Sequence, residues 1–502
     1  MAALQRAFGS EGTVALPARK GKPRSISRSL YLADHMASSG TLITSISGIR
    51  GIFGDGLDPQ ALVRYGSAFG TWIRTRAATG GRPPTVVVGR DGRVTGPLCS
   101  RLVIGALQAS GCDVVDIGLA ATPTVEIAVL AEEAMGGIVL SASHNPAEWN
   151  ALKLLNEKGQ FLDAGQGQAV LDLAAEGTPP PVAFDAVGSV RSAHYLPYHV
   201  EQVVGLDFIQ PEAIAAQAFT VLVDGINSVG ALAMPALLRA LGIDDDHIHL
   251  VNGTIHGRFS HPAEPLPAHL TETMAQVKAV GADLGLVVDP DADRLALIDE
   301  TGTYVSEELT QVLAADFLWR RRSGSFVTNL SSSRAIEDVA ARYNESVFRS
   351  AVGEINVVKK MEAVSAMLGG EGNGGVILPD LHLGRDALIG AAMILQHLAE
   401  QQQPLSAVVA ALPQFSISKN KIPLGEQAPT PVLEALATRY ADERVSTMDG
   451  VKIDFAEGWV HVRPSNTEPV LRIYAEAPTA DAATALAERF VDELTTLRAG
   501  NA

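Results

Sequence analysis

Four short segments of this chain gather side chains that could do chemistry. The first is Gly136-Gly-Ile-Val-Leu-Ser-Ala-Ser-His-Asn-Pro146, with Asn150 and Lys153 just beyond it. An apolar run delivers Ser141, Ser143, His144 and Asn145 onto a turn closed by Pro146, which holds a hydroxyl at a strand tip among polar neighbours. A serine there could be a nucleophile or carry a phosphate; the same residues could equally form a Ser or Asx turn that caps the next helix. The second segment, Leu284-Gly-Leu-Val-Val-Asp-Pro-Asp-Ala-Asp-Arg294, sets Asp289, Asp291 and Asp293 at alternate positions past an apolar strand. Three such carboxylates repel one another unless a cation lies between them, and hard oxygen ligands suit Mg²⁺. Glu300 falls at the twelfth position from Asp289, as in an EF-hand, but Arg294 stands at the sixth, where that loop needs Gly, and both flanks read as strands. A solvated acidic turn is the remaining reading.

The third segment, Val462-Arg-Pro-Ser-Asn-Thr-Glu-Pro-Val-Leu-Arg472, sets the guanidinium of Arg463 beside Ser465, Asn466 and Thr467 on a turn between strands. Such donors suit a phosphate with its three acceptor oxygens, and a capped turn that binds nothing uses the same residues. The fourth, Gly369-Gly-Glu-Gly-Asn-Gly-Gly375, is followed by Gly384-Arg-Asp386. So much Gly lets backbone approach a ligand while Glu371 and Asn373 bind hydroxyls. It lacks the Lys-Ser/Thr of a P-loop and follows no evident strand, which disfavours nucleotide binding.

Elements able to position these segments recur along the chain. Thr85–Gly118, Phe219–Val251 and Ser325–Val352 each run from a β-branched stretch through a polar turn into a helix-period segment and a second strand. Each reads as a βαβ unit, and three in series predict three related α/β domains. Thr447–Ala477 instead offers two strand-like runs around a turn, then an Ala-rich helix from Ala480 to about Leu497, the pattern of a smaller α+β domain. A length of 502 residues accommodates such a series at about 150 residues per domain. With Lys+Arg 39 against Asp+Glu 56, the net charge of −17 argues against nucleic acid or an anionic membrane as partner. Cys99 and Cys112 are too few for a disulfide framework and lack metal-ligand spacing, so two buried thiols and a cytoplasmic location are expected. No apolar run approaches a membrane span. Residues 1–40 are basic and rich in Ser and Gly, which predicts a disordered extension, with Met36 as a second candidate start.

Taken in this order, the four segments resemble those of the α-D-phosphohexomutase superfamily, which moves phosphate between the 1- and 6-positions of hexose phosphates. The resemblance runs from about Ser45 to Ala477 and includes Gly48-Ile-Arg-Gly51 and Gly89-Arg-Asp-Gly-Arg93. It implies four domains around a central cleft in a heart-shaped molecule. These would be three related α/β mixed-sheet domains, 41–200 with the phosphoserine, 201–303 with the metal and 304–415 with the sugar loop, then a smaller C-terminal α+β domain, 416–502, that binds phosphate. It places the phosphorylated serine at Ser143, and a Mg²⁺ on Ser143, Asp289, Asp291 and Asp293. Arg93, His144 and Lys153 would support the phosphoryl transfer, with Arg50, Arg294, Glu371, Asn373, Arg463, Ser465, Asn466 and Thr467 on the substrate.

Within the superfamily the segments lean toward phosphoglucosamine mutases, which implies a hexose phosphate substrate, a hexose 1,6-bisphosphate intermediate and a monomer or homodimer. A phosphoglucomutase/phosphomannomutase is the alternative substrate class. An idle sugar-phosphate-binding protein and a metal-dependent phosphatase with a DxD turn are the rivals of other classes. Many members carry a His where this chain has Gly375, so the general base passes to Lys153, ahead of His144 and His382.

Overall fold

The computed structural model describes residues 40–45, 48–424, 428–465 and 470–500, so the expected extension 1–40 lies outside the described residues except for Gly40. In the first domain Val86, Val87 and Val88 make a strand, Thr85–Arg90, whose β-branched side chains are fully buried on both faces. It pairs in parallel with Asp113–Leu119 and Gly136–Leu140, and the latter turns back antiparallel into Trp149–Leu155. The resulting eight-stranded mixed sheet runs in the order Ile43–Ser45, Gly48–Phe53, Trp149–Leu155, Gly136–Leu140, Thr85–Arg90, Asp113–Leu119 and Val190–Ser192, with Gly56–Leu57 beside Gly48–Phe53. The helix Pro59–Gly80 covers one face. Asp58 starts it by accepting from the Ala61 N–H at 2.7 Å, Pro59 supplies the fixed φ of a first turn, and Gly81 at φ 66° ends it.

The second and third domains repeat the theme. Val221–Asp224, the helix Gly230–Ala240 and Ile248–Val251 form one parallel βαβ unit; Phe326–Asn329, Ala335–Arg342 and Val347–Ser350 form the other. Each sheet continues through a parallel neighbour into antiparallel strands, Leu284–Val288 into Leu295–Asp299 and Leu368–Glu371 into Gly375–Ile377. The site segments therefore lie at hairpins where a central strand reverses. The Gly-rich segment, expected to follow no strand, is itself the end of one. Its glycines answer crowding, since a Cβ on Gly370 would lie 2.5 Å from the Gly375 carbonyl oxygen and 3.0 Å from the Gln311 side chain.

These two domains share one hydrophobic core, in which Val221, Leu286, Phe317, Leu388 and Leu395 belong to a single cluster. The helix Ala387–Gln401 runs through it, buried at every position from Ala387 to Ala399, as a helix apolar on nearly all sides must be. The C-terminal domain keeps its own core, with Leu436, Phe490 and Leu494 of its helices against Ile453, Val462 and Ile473. Its antiparallel sheet is ordered Ser416–Pro423, Val470–Ala477, Trp459–Pro464, Val451–Asp454, Arg444–Ser446. The sequence suggested two strand-like runs in 447–477; among the described residues there are three strands, because the chain reverses at 455–458, where the Phe455 N–H donates to the Gly458 carbonyl at 2.8 Å. Cys99 and Cys112 are free and buried. Among the described residues no helix is long and apolar enough to cross a membrane.

Candidate active site

The strand Gly136–Leu140 ends where Ser141 and Ser143 separate in role. Ser141 Oγ donates to Asp91 Oδ2 at 2.7 Å and accepts from the Ser143 N–H at 2.9 Å, so it is spent on the turn. Ser143 takes a left-handed backbone, φ 46°, and its Oγ donates to Asp289 Oδ2 at 2.7 Å. His144 Nδ1 lies 3.5 Å from that hydroxyl. Ser141 and Ser143 are buried, Ser143 at 7%, while Pro146, which closes the turn, is exposed. Arg93 is what makes burial tolerable. Its Nε pairs with Asp91 at 3.0 Å, and its terminal nitrogens donate to the carbonyls of Ser143, Asn145, Pro146 and Trp149 at 2.5 to 2.9 Å. Its terminal donors all go to carbonyls of the serine turn and of Trp149 just after it, so Arg93 shapes the serine loop, whereas the sequence had it adding potential at the reacting group.

Asp289, Asp291 and Asp293 follow the strand Leu284–Val288, all fully buried, each with a carboxylate oxygen within 4.8 Å of the others'. Burial first, and then the charges of Asp293 and Asp291, push the Asp289 carboxyl well above its usual range. Asp291 goes the other way: burial would raise it, but the Lys153 ammonium, 2.5 Å from Oδ2, and the Thr122 hydroxyl, also at 2.5 Å, hold it low. Asp291 Oδ1 and Asp293 Oδ1 are buried with no hydrogen-bond partner. Orphaned buried carboxylate oxygens are costly, and a divalent cation with oxygen preference fits this donor set.

Cations surround the triad. Arg294 Nε lies 3.8 Å from Asp293 and 4.0 Å from Asp289. Lys153 is buried, which alone would lower its amine, but Asp291 and Asp293 more than reverse this and leave it raised, the state of a proton donor. The charge of Arg294, then burial, then Arg385, Arg50 and Lys153 depress the His144 imidazole well below its usual value. Arg50 comes from the strand Gly48–Phe53, paired with the strand of Lys153; burial and the neighbouring Arg294 lower its guanidinium. Four cations are thus felt at the imidazole next to Ser143, beside the carboxylates of the triad.

Glu371 and Asn373 sit at the hairpin opposite. Glu371 Oε1 accepts from Asn329 Nδ2 at 2.8 Å and Oε2 from Arg385 at 2.7 Å, and Asn373 Oδ1 accepts from the Gly375 N–H at 3.2 Å. Oε1 also accepts from the Gly353 N–H at 3.3 Å, so Oε2 is the oxygen that keeps a lone pair for a ligand hydroxyl. His382, a candidate base in the sequence, is buried between Glu126, 3.1 Å from Nδ1, and Asp386, 3.4 Å from Nε2. Both of its nitrogens face carboxylates. Arg463 lies at the end of Trp459–Pro464 with its Nε buried and unpartnered, and Ser465 follows; Asn466 and Thr467 lie outside the described residues. Sequence reasoning missed Asp91, Thr122, Asn329, Glu354 and Arg385. Asp91 and Arg385 did stand inside noted runs, Gly89–Arg93 and Gly384–Asp386; the others gave no local signal.

The comparison with known proteins agrees with this arrangement domain by domain. Residues 42–179, 197–302 and 306–415 match the alpha/beta/alpha domains I, II and III of phosphoglucomutase/phosphomannomutase, and 421–493 its C-terminal domain. A phosphoglucomutase/phosphomannomutase of Thermococcus kodakarensis is 35% identical over 439 residues, 87% of this chain and 94% of that one. A protein of Methanopyrus kandleri, named a probable phosphoglucosamine mutase, is 32% identical over 451 residues, 89% of this chain and 96% of its own. The crystal structure of a phosphoglucomutase/phosphomannomutase family protein from Burkholderia thailandensis superposes with a TM-score of 0.77 at 26% identity, covering 91% of this chain and 98% of that one. Matched in all four domains and over nearly the full length of its relatives, the chain belongs to the phosphoglucomutase/phosphomannomutase family of phosphohexomutases, isomerases that act as intramolecular phosphotransferases.

Proposed function

We propose that the protein interconverts hexose 6-phosphates and hexose 1-phosphates through a phosphorylated Ser143 and a bound hexose 1,6-bisphosphate, with glucosamine 6-phosphate as its best substrate. The observation that carries this reading is the Ser143 hydroxyl donating to Asp289 at 2.7 Å inside a buried triad that has carboxylate oxygens to spare. In each half-reaction the bond from phosphorus to Ser143 Oγ breaks as one forms to a sugar hydroxyl. Lys153 Nζ gives a proton to the departing serine oxygen and recovers one from the attacking hydroxyl; the reverse step runs the same transfers backward. Mg²⁺ held by Asp289, Asp291 and Asp293 would supply charge neutralisation at the phosphoryl oxygens. Arg294 and Arg50 add positive potential there, while Arg93 keeps the serine loop in shape. Arg463 and Ser465, with Asn466 and Thr467, hold the phosphate that is not reacting, and Glu371 with Asn373 reads the sugar hydroxyls.

Peptide mapping after incubation with glucose 1,6-bisphosphate should find phosphate on Ser143. A panel of glucosamine, glucose and mannose 6-phosphates should then rank in that order of kcat/KM, since the hairpin reads hydroxyl geometry more than the 2-substituent. Release of inorganic phosphate without isomer would make the protein a phosphatase, and binding without turnover a sugar-phosphate carrier.

A further inference from the structure

Arg385 has no part in the reading above, yet it touches both halves of the site. Its guanidinium is buried and forked: one terminal nitrogen donates to Asp293 Oδ2 at 2.6 Å, the other to Glu371 Oε2 at 2.7 Å. Its Nε lies 3.0 Å from Glu354 Oε2, and its backbone N–H donates to Glu354 Oε1 at 3.3 Å. Glu354 is itself fixed as the first residue of the helix Glu354–Val364. Three carboxylates from three separate segments thus converge on one planar cation, whose rigid fork sets their separation as a point charge could not.

The hairpin leaves room for this side chain at a particular glycine. Gly375 does not need glycine for its backbone angle, because its φ is not positive. A Cβ there would instead lie 2.8 Å from Arg385 Cγ, and nearer still to Cδ. The surrounding loops are tied as well: the Leu295 N–H donates to the Gly374 carbonyl at 3.0 Å, and the Ala387 N–H to the Ala292 carbonyl at 3.3 Å.

We infer that Arg385 is a positioning residue of the reaction, whose fork holds Asp293 in the metal-binding triad at a fixed distance from Glu371 in the sugar hairpin, and that Gly375 is the space it requires. With Oδ2 of Asp293 held by Arg385, the orphaned Oδ1 is left for the cation. That Arg385 serves a reaction rests on the phosphohexomutase reading; its hold on the metal-binding triad does not.

The test compares the full-length protein with R385K, R385M, G375A and G375A/R385M. Mn²⁺ affinity is measured by electron paramagnetic resonance, alongside kcat and KM for glucosamine 6-phosphate. Loss of an orienting partner should weaken metal binding about tenfold to a hundredfold in R385M, and R385K should resemble R385M because it keeps the charge but loses the fork. KM should rise in the same variants. G375A should reproduce the weakening, and should add nothing in the R385M background, where the stem it displaces is shorter and flexible. Metal binding that tightens in R385M and is normal in R385K would make Arg385 a mere counter-charge and overturn the inference, as would additive effects of G375A and R385M. If R385M does not fold, R385K and G375A decide by the same criteria. If wild type binds Mn²⁺ but isomerises no hexose phosphate, the functional reading fails while the metal titration still judges Arg385.

Discussion

Around Ser143 and the three aspartates, charge is shut away from water and held across domain borders: Asp289, Asp291, Asp293 and Arg93 are 0% exposed and Glu371 3%. Thr122 and Lys153 of the first domain bind Asp291 of the second, Arg385 of the third binds Asp293, and the second and third domains share one apolar core. The C-terminal domain is attached in another way. Its core is its own, and it meets the third domain through polar contacts. Arg334 donates to the carbonyls of Gly458 at 2.9 Å and Phe455 at 3.2 Å, Ser331 Oγ meets His461 Nδ1 at 2.8 Å, and Asp449 accepts from the Val352 N–H at 2.9 Å. A solvent-accessible bond of this kind is worth only about 1 kcal/mol net, because water can replace it, whereas splitting a shared core exposes apolar surface with no substitute. Around Ser143 the domains are fused by buried ion pairs and a shared core; at Arg463 the C-terminal domain stands on a core of its own.

The predictions follow that contrast. The largest effect belongs to the fused region: S143A should lower turnover on the order of 10⁴-fold or more while its circular dichroism stays native, since the carrier oxygen is gone. S143G should be equally inactive but more stable than S143A, because Gly relieves the left-handed backbone at φ 46°. D291N comes next. It removes a ligand charge and the partner of Lys153, and should lower kcat by about a hundredfold or more and raise the Mg²⁺ needed for half-activation. Wild-type activity in chelator would refute the role of the triad.

Core substitutions should separate the two regions in calorimetry. L395A should cost about 2–5 kcal/mol and shift the main transition, whereas F490A, of about 3–5 kcal/mol, should shift only a separate C-terminal one. A single shared transition for both would break the comparison. R463A should raise KM for hexose phosphate about 10- to 100-fold with a smaller loss of kcat, as expected for a grip remote from the reacting phosphorus.

The smallest effect is with pH. Burial would lower His382, but Asp386 and Glu126 outweigh it and push the imidazole up to about 10. A group raised in the folded state stabilises fully below its unfolded pKa, near 6.5, and that contribution fades as pH climbs toward 10. Thermal stability should therefore decline from pH 7 to 10, and decline less steeply in H382Q.

The three βαβ units were legible because each is a local pattern, a β-branched strand, a turn and a helix within some thirty residues. The triad was legible too, since alternate aspartates after an apolar strand announce themselves without any tertiary knowledge. The third strand of the C-terminal hairpins was hidden because Phe455-Ala-Glu-Gly458 carries a weak turn signal between two β-rich runs.

What the sequence by itself determined is which segments carry Ser143, the aspartate triad, the Gly-rich hairpin and Arg463, because spacing along the chain fixes what a strand end or a turn presents. Only the tertiary structure decided that Ser143 and not Ser141 faces Asp289, and that Arg93 turns to carbonyls 50 to 56 residues away in the serine loop. It alone set Arg385 against Asp293, 92 residues distant. Such pairings cross between strands and domains that meet only when apolar faces are buried, and a buried cation takes whichever carboxylate or carbonyl packing brings within reach, so no local rule could name its partner.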